Sequence, residues 1–283
     1  MTVETRPRLP GAPDVMARAG GENFTVASRV LPRAVRADLL ALYGYARLVD
    51  ETGDAVAGDR LAALDWLEAD LDRAYAGRAE HPVLQRLTPV LRDRRLPREP
   101  LAALIEANRR DQRVSRYETF EDLLGYCELS ANPVGRLVLC VLDAATPERV
   151  ALSDAVCTGL QLAEHWQDLA EDLAAGRLYV PLEDLRRFGC AERDLAAAPA
   201  PRQVRELMAF EVSRARELLD RGAPLARTLH GRARWAVAGF VAGGRAALDA
   251  IAGAEYDVIG GAPRAGAGRR ALALLRAIAE TRR

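Results

Sequence analysis

Almost every long segment of this chain repeats its apolar residues at helical spacing, and the alternating runs of a half-buried strand are scarce. Ala and Leu fill the apolar stripes and Arg and Glu the polar ones, and all four residues favour helix. The periodicity predicts helices over residues 33–52, 59–75, 82–94, 98–117, 120–142, 147–175, 201–221, 232–254 and 269–281. Gly53, Gly77, Pro97, Pro133 and Gly176 fall at or near predicted ends or kinks, where a missing Cβ or a missing N–H is tolerated. Residues 182–201 read as a looser stretch, and residues 1–20 as a flexible N-terminal segment. No interdomain linker or solenoid repeat is visible, so the chain reads as one all-α domain, residues 1–283.

The bulk numbers remove several function classes. At 283 residues the chain is long enough for a sizeable core, and 49% hydrophobic with 28% charged residues is a globular balance. A formal net charge of +0 gives no global field for nucleic acid. All 40 basic residues are arginine. A phosphate-binding loop of the Walker type and a pyridoxal phosphate enzyme both need a lysine, so both are excluded. Cys127, Cys140, Cys157 and Cys190 lie at no metal-ligand spacing and read as buried or half-buried free thiols of a reducing cytoplasm. His81, His165 and His230 form no metal-binding pair. The N-terminus carries Glu4, Arg6, Arg8 and three prolines rather than the apolar core of a signal peptide. The longest apolar stretch, residues 235–244, is too short to span a bilayer.

Two polar stripes carry the chemistry. One is Tyr43, Arg47, Asp50 and Asp54; the other is Gln161, His165, Asp168 and Asp172. Both use offsets of four, three and four, which at about 3.6 residues per turn hold all four side chains on one helix face. Leu39, Leu40, Leu42 and Val49 flank the first stripe, and Leu160, Leu162 and Leu169 the second. Glu51 lies beside the first acidic pair, and Glu164 and Glu171 beside the second. Exposed carboxylates at i and i+4 repel by about 0.2–0.5 kcal/mol, and burying them costs far more unless a cation compensates. Two such faces opposed in a helical bundle would form a cation pocket. Oxygen ligands suit Mg²⁺, which takes one or two carboxylates plus waters and substrate phosphates. Two solvated helix faces explain the same pattern, and spacing alone leaves both readings open. Glycosidase chemistry usually sits at strands, and a di-iron bundle needs Glu-x-x-His motifs that this chain lacks.

The segment from Leu42 to Asp54, LYGYARLVDETGD, resembles the first aspartate-rich motif of the squalene/phytoene synthase family, and Gln161 to Asp172, QLAEHWQDLAED, resembles the second. Gly176 to Pro181, GRLYVP, follows as the family's GRxYxP does. Glu22-Asn23-Phe24 with Ala27-Ser28, Glu106-Ala107-Asn108 with Asp111-Gln112, and Tyr126 to Gly135 are similar to the hydroxysqualene synthase branch of bacterial hopanoid biosynthesis. The resemblance runs from about Glu22 to Asp257. Glu164 stands where the family has asparagine, His165 where it usually has an aromatic residue, and Ile259-Gly260-Gly261 departs from the family's ending.

The resemblance implies an isoprenoid synthase helical bundle with a central cavity, acting on an isoprenoid diphosphate with Mg²⁺ as cofactor. Asp50, Asp54, Asp168 and Asp172 would hold the metal, with Glu164 an extra ligand. Arg47 would pair with phosphate oxygens, and the alternative is an i+3 ion pair to Asp50, two roles that one guanidinium can combine. Tyr43, Tyr126 and Gln161 would complete the catalytic polar contacts, and Phe24, Glu51 and Arg177 the substrate contacts. Phe120, Trp166, Trp235 and Phe240, like Phe24, are candidates for the cavity wall. The implied substrate is presqualene diphosphate, and the implied product hydroxysqualene. The alternatives are head-to-head prenyl diphosphate condensation and a non-catalytic helical assembly subunit. The chain reads as a cytoplasmic enzyme whose greasy substrate implies transient contact with the inner membrane face, and the resemblance implies functional pairing with a presqualene diphosphate synthase.

Overall fold

The computed structural model describes residues 9–11, 31–261, 263, 266, 273 and 277. Phe24 and its motif, residues 1–8, and most of the helix expected over 269–281 lie outside the described residues. The described chain is helical, with no named strand among its elements. In order the helices are α1 (Arg33–Ala55), α2 (Arg60–Tyr75), α3 (Pro82–Asp93), α4 (Arg98–Asp111), α5 (Phe120–Ser130), α6 (Asn132–Val141) and α7 (Pro147–Gln167). They continue with α8 (Leu169–Ala174), α9 (Leu182–Arg187), a 3₁₀ turn (Glu192–Ala196), α10 (Arg202–Gly222), α11 (Leu225–Thr228) and α12 (Gly231–Gly253). The chain divides into two compact units, one of Met1–Arg113 with Arg136–Ala145, the other of Val114–Gly135 with Thr146–Arg283.

Helix starts follow elementary capping chemistry. Asp59 accepts from the Ala62 N–H to open α2, and Thr119 and Asp122 form a reciprocal capping box at α5. Thr146 and then Pro147 begin α7. Gly176, at φ +82°, ends the acidic segment in the left-handed region that glycine enters without strain.

Three expected helices are shorter than their periodicity. The fourth stops at Asp111 rather than residue 117, because Ser115 to Glu118 pair with a later segment. The fifth splits at Ala131, ahead of Pro133, whose ring cannot continue the ladder. The sixth splits at Asp168, which leaves helical geometry at φ −98°, ψ 13°. The loose stretch from 182 to 201 holds α9 and the 3₁₀ turn.

In the first unit α1 packs against α2, α3 and α4. Leu42, Tyr45, Leu48, Val49 and Thr52 form its buried stripe. Tyr45, wholly buried, donates its hydroxyl to the Leu101 carbonyl at 2.9 Å, which removes the cost of burying that oxygen. A groove of about 430 Å³ between α1 and α3, lined by Leu40, Ala41, Val83 and Val90, contains none of the candidate site residues.

In the second unit α7 is the central helix, packed by α5, α10, α11 and α12. Contact is close enough that a Cβ at Gly222 would sit 2.6 Å from the Leu152 carbonyl oxygen and 2.8 Å from the Val156 nitrogen. α12 has 23 residues and is apolar enough by length and composition to cross a membrane, beyond the ten-residue stretch visible in the sequence. Of its most apolar window, 56% is buried inside the fold, against α7 and α10.

One buried acid escaped the sequence reading. Glu211 on α10 is wholly buried; its Oε1 lies 3.5 Å from Arg214 Nη1, and neither carboxyl oxygen has hydrogen-bond geometry. Arg214 donates instead to Asp184 of α9 at 2.6 Å and lies over the rings of Phe120 and Phe210. Burial, reinforced by Asp184 and opposed by Arg214, pushes the Glu211 carboxyl up to about 8.

Candidate active site

The candidate residues gather in two groups, one within each unit. Tyr43, Arg47, Asp50, Glu51 and Asp54 lie along the last turns of α1. Asp50 and Asp54 are exposed, while Tyr43, Arg47 and Glu51 are half-buried. The Arg47 guanidinium stands 3.4 Å from Glu51, four residues on, rather than on Asp50 as the i+3 alternative expects. That leaves Asp50 to a different partner. The Asn108 amide of α4 donates to Asp50 Oδ1 at 3.3 Å and to the Leu104 carbonyl at 3.2 Å. One turn on, Gln112 donates to the Gly53 carbonyl at 3.0 Å and to the Asn108 carbonyl at 3.2 Å.

Gly53 makes this approach possible. A Cβ there would lie 2.2 Å from Asn108 Oδ1. Its role is close helix packing; α1 continues to Ala55 beyond it. Asn108 and Gln112 were absent from the sequence-based site. Their signal is the Glu106-Ala107-Asn108 and Asp111-Gln112 motif, which sets the two amides at i and i+4.

The second group belongs to the other unit. Gln161, Glu164, His165, Asp168 and Asp172 follow the end of α7 into α8, with Tyr126 on α5 and Arg177 just beyond Gly176. The break at Asp168 does not scatter them. The Asp168 N–H still donates to the Glu164 carbonyl at 2.9 Å, and the Asp172 N–H to the Asp168 carbonyl at 2.8 Å. Glu164, Asp168 and Asp172 are half-buried.

His165 is buried, with its Nε2 3.2 Å from the Gln161 amide nitrogen and its Nδ1 3.9 Å from Asp172 Oδ2. Burial lowers its pKa; Asp172 pulls the other way and Arg177 adds to the lowering. The ring stacks on Tyr179 with centroids 3.6 Å apart and planes 14° from parallel. Tyr126 lies 5.8 Å from Tyr179, and Tyr117 lies 5.5 Å from Tyr126 and 5.9 Å from Tyr179, closing a buried four-ring cluster.

Backbone pairing fixes that cluster. The Leu178 N–H donates to Ser115 O at 2.9 Å, Leu182 N–H to Tyr117 O at 3.0 Å and Glu183 N–H to Glu118 O at 3.0 Å. Arg116 donates to the Gly176 carbonyl at 2.7 Å and forms a two-point contact with Glu192 at 2.8 and 3.0 Å. Tyr117, Tyr179, Arg116 and Glu192 join Asn108 and Gln112 as residues that spacing alone did not nominate. Of the other aromatic candidates, Trp166 is wholly buried, whereas Phe120, Trp235 and Phe240 are half-buried.

Among the described residues no three His, Cys, Asp or Glu side chains gather into a ready-made metal cage. The carboxylates come in helix-borne pairs, with hard oxygen donors only. Such pairs fit Mg²⁺, which keeps several waters and completes its shell with substrate phosphates, and do not fit a cation that needs an all-protein cage.

A squalene/phytoene synthase model matches residues 17–276. The solved structure of squalene synthase HpnC from Alicyclobacillus acidocaldarius superposes with a TM-score of 0.81 and 45% identity, covering 86% of this chain and 92% of that one. The hydroxysqualene synthase of Sinorhizobium fredii is 34% identical over 208 residues, 72% of this chain and 70% of the relative. The phytoene synthase of Arthrospira platensis is 31% identical over 252 residues, 84% of this chain and 82% of the relative. With an all-helical fold, and a family match running through both aspartate-rich segments, the chain belongs to the squalene/phytoene synthase family of enzymes.

Proposed function

We propose that this enzyme is a hydroxysqualene synthase. It ionises presqualene diphosphate, rearranges the carbocation and captures it with water, releasing diphosphate and a proton. The carbon–oxygen bond to diphosphate breaks and one to water forms, so no reductant enters. The observation that carries this reading is the 45% identity to squalene synthase HpnC over 86% of the chain, beside hydroxysqualene synthases at 34% and 35%.

When bound, Mg²⁺ would neutralise charge developing on the leaving diphosphate. Asp50 and Asp54 would hold Mg²⁺ in one unit, and Asp168 and Asp172 with Glu164 would hold Mg²⁺ in the other. Arg47 and Arg177 present guanidinium forks to phosphate oxygens. Tyr43 and Tyr126 donate hydroxyl hydrogen bonds, and Gln161 supplies a polar contact through its amide. Glu51 holds Arg47 in place, 3.4 Å from its guanidinium. The reaction belongs to hopanoid or squalene biosynthesis in the cytoplasm, where the greasy substrate brings the enzyme into transient contact with the membrane and downstream of a presqualene diphosphate synthase.

A second reading, head-to-head condensation of prenyl diphosphates, is favoured by the phytoene synthase similarity, which extends over 84% of the chain. The two readings part on substrate. Incubating the purified protein with presqualene diphosphate and Mg²⁺ yields hydroxysqualene under the first, and an Asp168→Ala, Asp172→Ala double variant yields none. Turnover of farnesyl diphosphate alone, with presqualene diphosphate left untouched, would replace the first reading with the second.

A further inference from the structure

We propose that His165 is a positioning residue for Asp172, and that the series Gln161–His165–Asp172, held by the Tyr179 ring, presets the second carboxylate pair for its cation. The inference rests on the metal-dependent reading above and adds a device to it.

Hydrogen-bond geometry argues the assignment. Gln161 turns its amide nitrogen to His165 Nε2 at 3.2 Å, and an amide nitrogen can only donate. We take Nε2 as the acceptor. A ring that accepts at Nε2 is neutral and carries its one proton on Nδ1. Nδ1 faces Asp172 Oδ2 at 3.9 Å, which one bridging water or a small rotation of Asp172 converts into a hydrogen bond.

The ring has no freedom to turn away. It is 7% exposed and stacks on Tyr179 at 3.6 Å, and Tyr179 is held in turn by the pairing of its segment with Ser115 to Glu118. One oxygen of Asp172 thus lies 3.9 Å from a ring nitrogen that cannot turn away. Outer partners of this kind orient ligating carboxylates, and their loss costs about 10–100-fold in metal affinity. A phenylalanine at this position would preserve the stack on Tyr179 but not the N–H. The histidine therefore adds a donor without giving up the packing.

The test separates donation from packing. His165→Phe keeps a ring against Tyr179 and removes the N–H. His165→Asn removes the ring and keeps an N–H close to the place of Nδ1. Mn²⁺ binding to the full chain with inorganic pyrophosphate, followed by the loss of the free-ion paramagnetic resonance signal, needs no turnover. We expect His165→Phe to bind about 10–100-fold more weakly than wild type, and His165→Asn to recover most of that loss. Wild-type binding by His165→Phe, or Asn no better than Phe, overturns the proposal. Should either variant fail to fold, Gln161→Leu decides: it frees the ring tautomer and weakens Mn²⁺ binding, and unchanged affinity overturns the proposal. A wild-type protein that binds no Mn²⁺ with pyrophosphate removes the metal-dependent reading itself, a different result from any ordering among the variants.

Discussion

Asn108 donates its side-chain amide to Asp50 at 3.3 Å from a helix so close that a Cβ at Gly53 would lie 2.2 Å from the same amide's oxygen. The two contacts depend on one another: the bare glycine lets α4 approach, and the approach lets Asn108 reach the carboxylate. Asn108→Ala keeps the packing and loses the hydrogen bonds, so it should cost about 1 kcal/mol of stability and weaken the Mg²⁺-dependent thermal shift with pyrophosphate. Gly53→Ala forces α4 outward and should cost about 1–3 kcal/mol. Chemical denaturation of both variants checks the order; equal losses would mean that α4 yields without strain.

The acidic pair of the second unit should dominate catalysis rather than stability. Asp168, at the junction of α7 and α8, and Asp172, on the short α8, are half-buried. Changing either to Asn keeps shape and removes charge. We expect kcat to fall about 10²–10³-fold, the scale set by losing one group that stabilises developing charge, with the melting temperature little altered. Steady-state kinetics beside thermal denaturation would show it, and an Asp172→Asn enzyme at full rate would exclude that residue from the site.

Glu211 sets a pH dependence that lies apart from these acids. Its pKa is raised from 4.5 to about 8 by burial, then by Asp184, against the pull of Arg214. Between those values the folded chain holds a proton that the unfolded chain has released. The contribution of Glu211 is therefore complete below pH 4.5 and is lost progressively as pH rises towards about 8. Melting temperature should fall across that window, and Glu211→Gln should flatten the part of the profile due to this group. An identical slope in the variant would assign the dependence elsewhere.

Gly222 tests the packing of α10 on α7. A Cβ there meets backbone atoms of Leu152 and Val156 rather than a flexible side-chain tip. Gly222→Ala should therefore cost about 1–3 kcal/mol through overpacking, despite the better helix propensity of alanine. A melting temperature at or above wild type would show that the two helices part at little cost.

The helices and the two acidic stripes were legible because their information is local. Apolar spacing placed α1, α2, α3, α10 and α12 to within a few residues, and Gly176 marked its own turn. What local pattern could not carry is partnership between distant segments. The pairing of Ser115 with Leu178 stopped α4 early, and nothing in the periodicity before Ser115 signals it. The stripe spacing placed Gln161, His165 and Asp172 together but not the stack of His165 on Tyr179, which brings in a segment beyond Gly176. Glu211 looks like any helix-face acid in the sequence; only the tertiary structure shows it to be buried, with Asp184 of α9 adding to the rise of its pKa.

The four-ring cluster has a consequence for the order of assembly. Tyr117, Tyr126, His165 and Tyr179 are drawn from separate segments, and the strand-like contact holding Tyr179 closes a loop of about sixty residues. Helices can form on either side of that loop before it closes, since their hydrogen bonds are short in sequence. The aromatic cluster and the acidic group beside it are therefore a late-arriving assembly and an early casualty. On gentle heating or in mild denaturant, the tyrosine environment and activity should fade while most of the helical signal persists. The enzyme would then be inactivated well before it is unfolded.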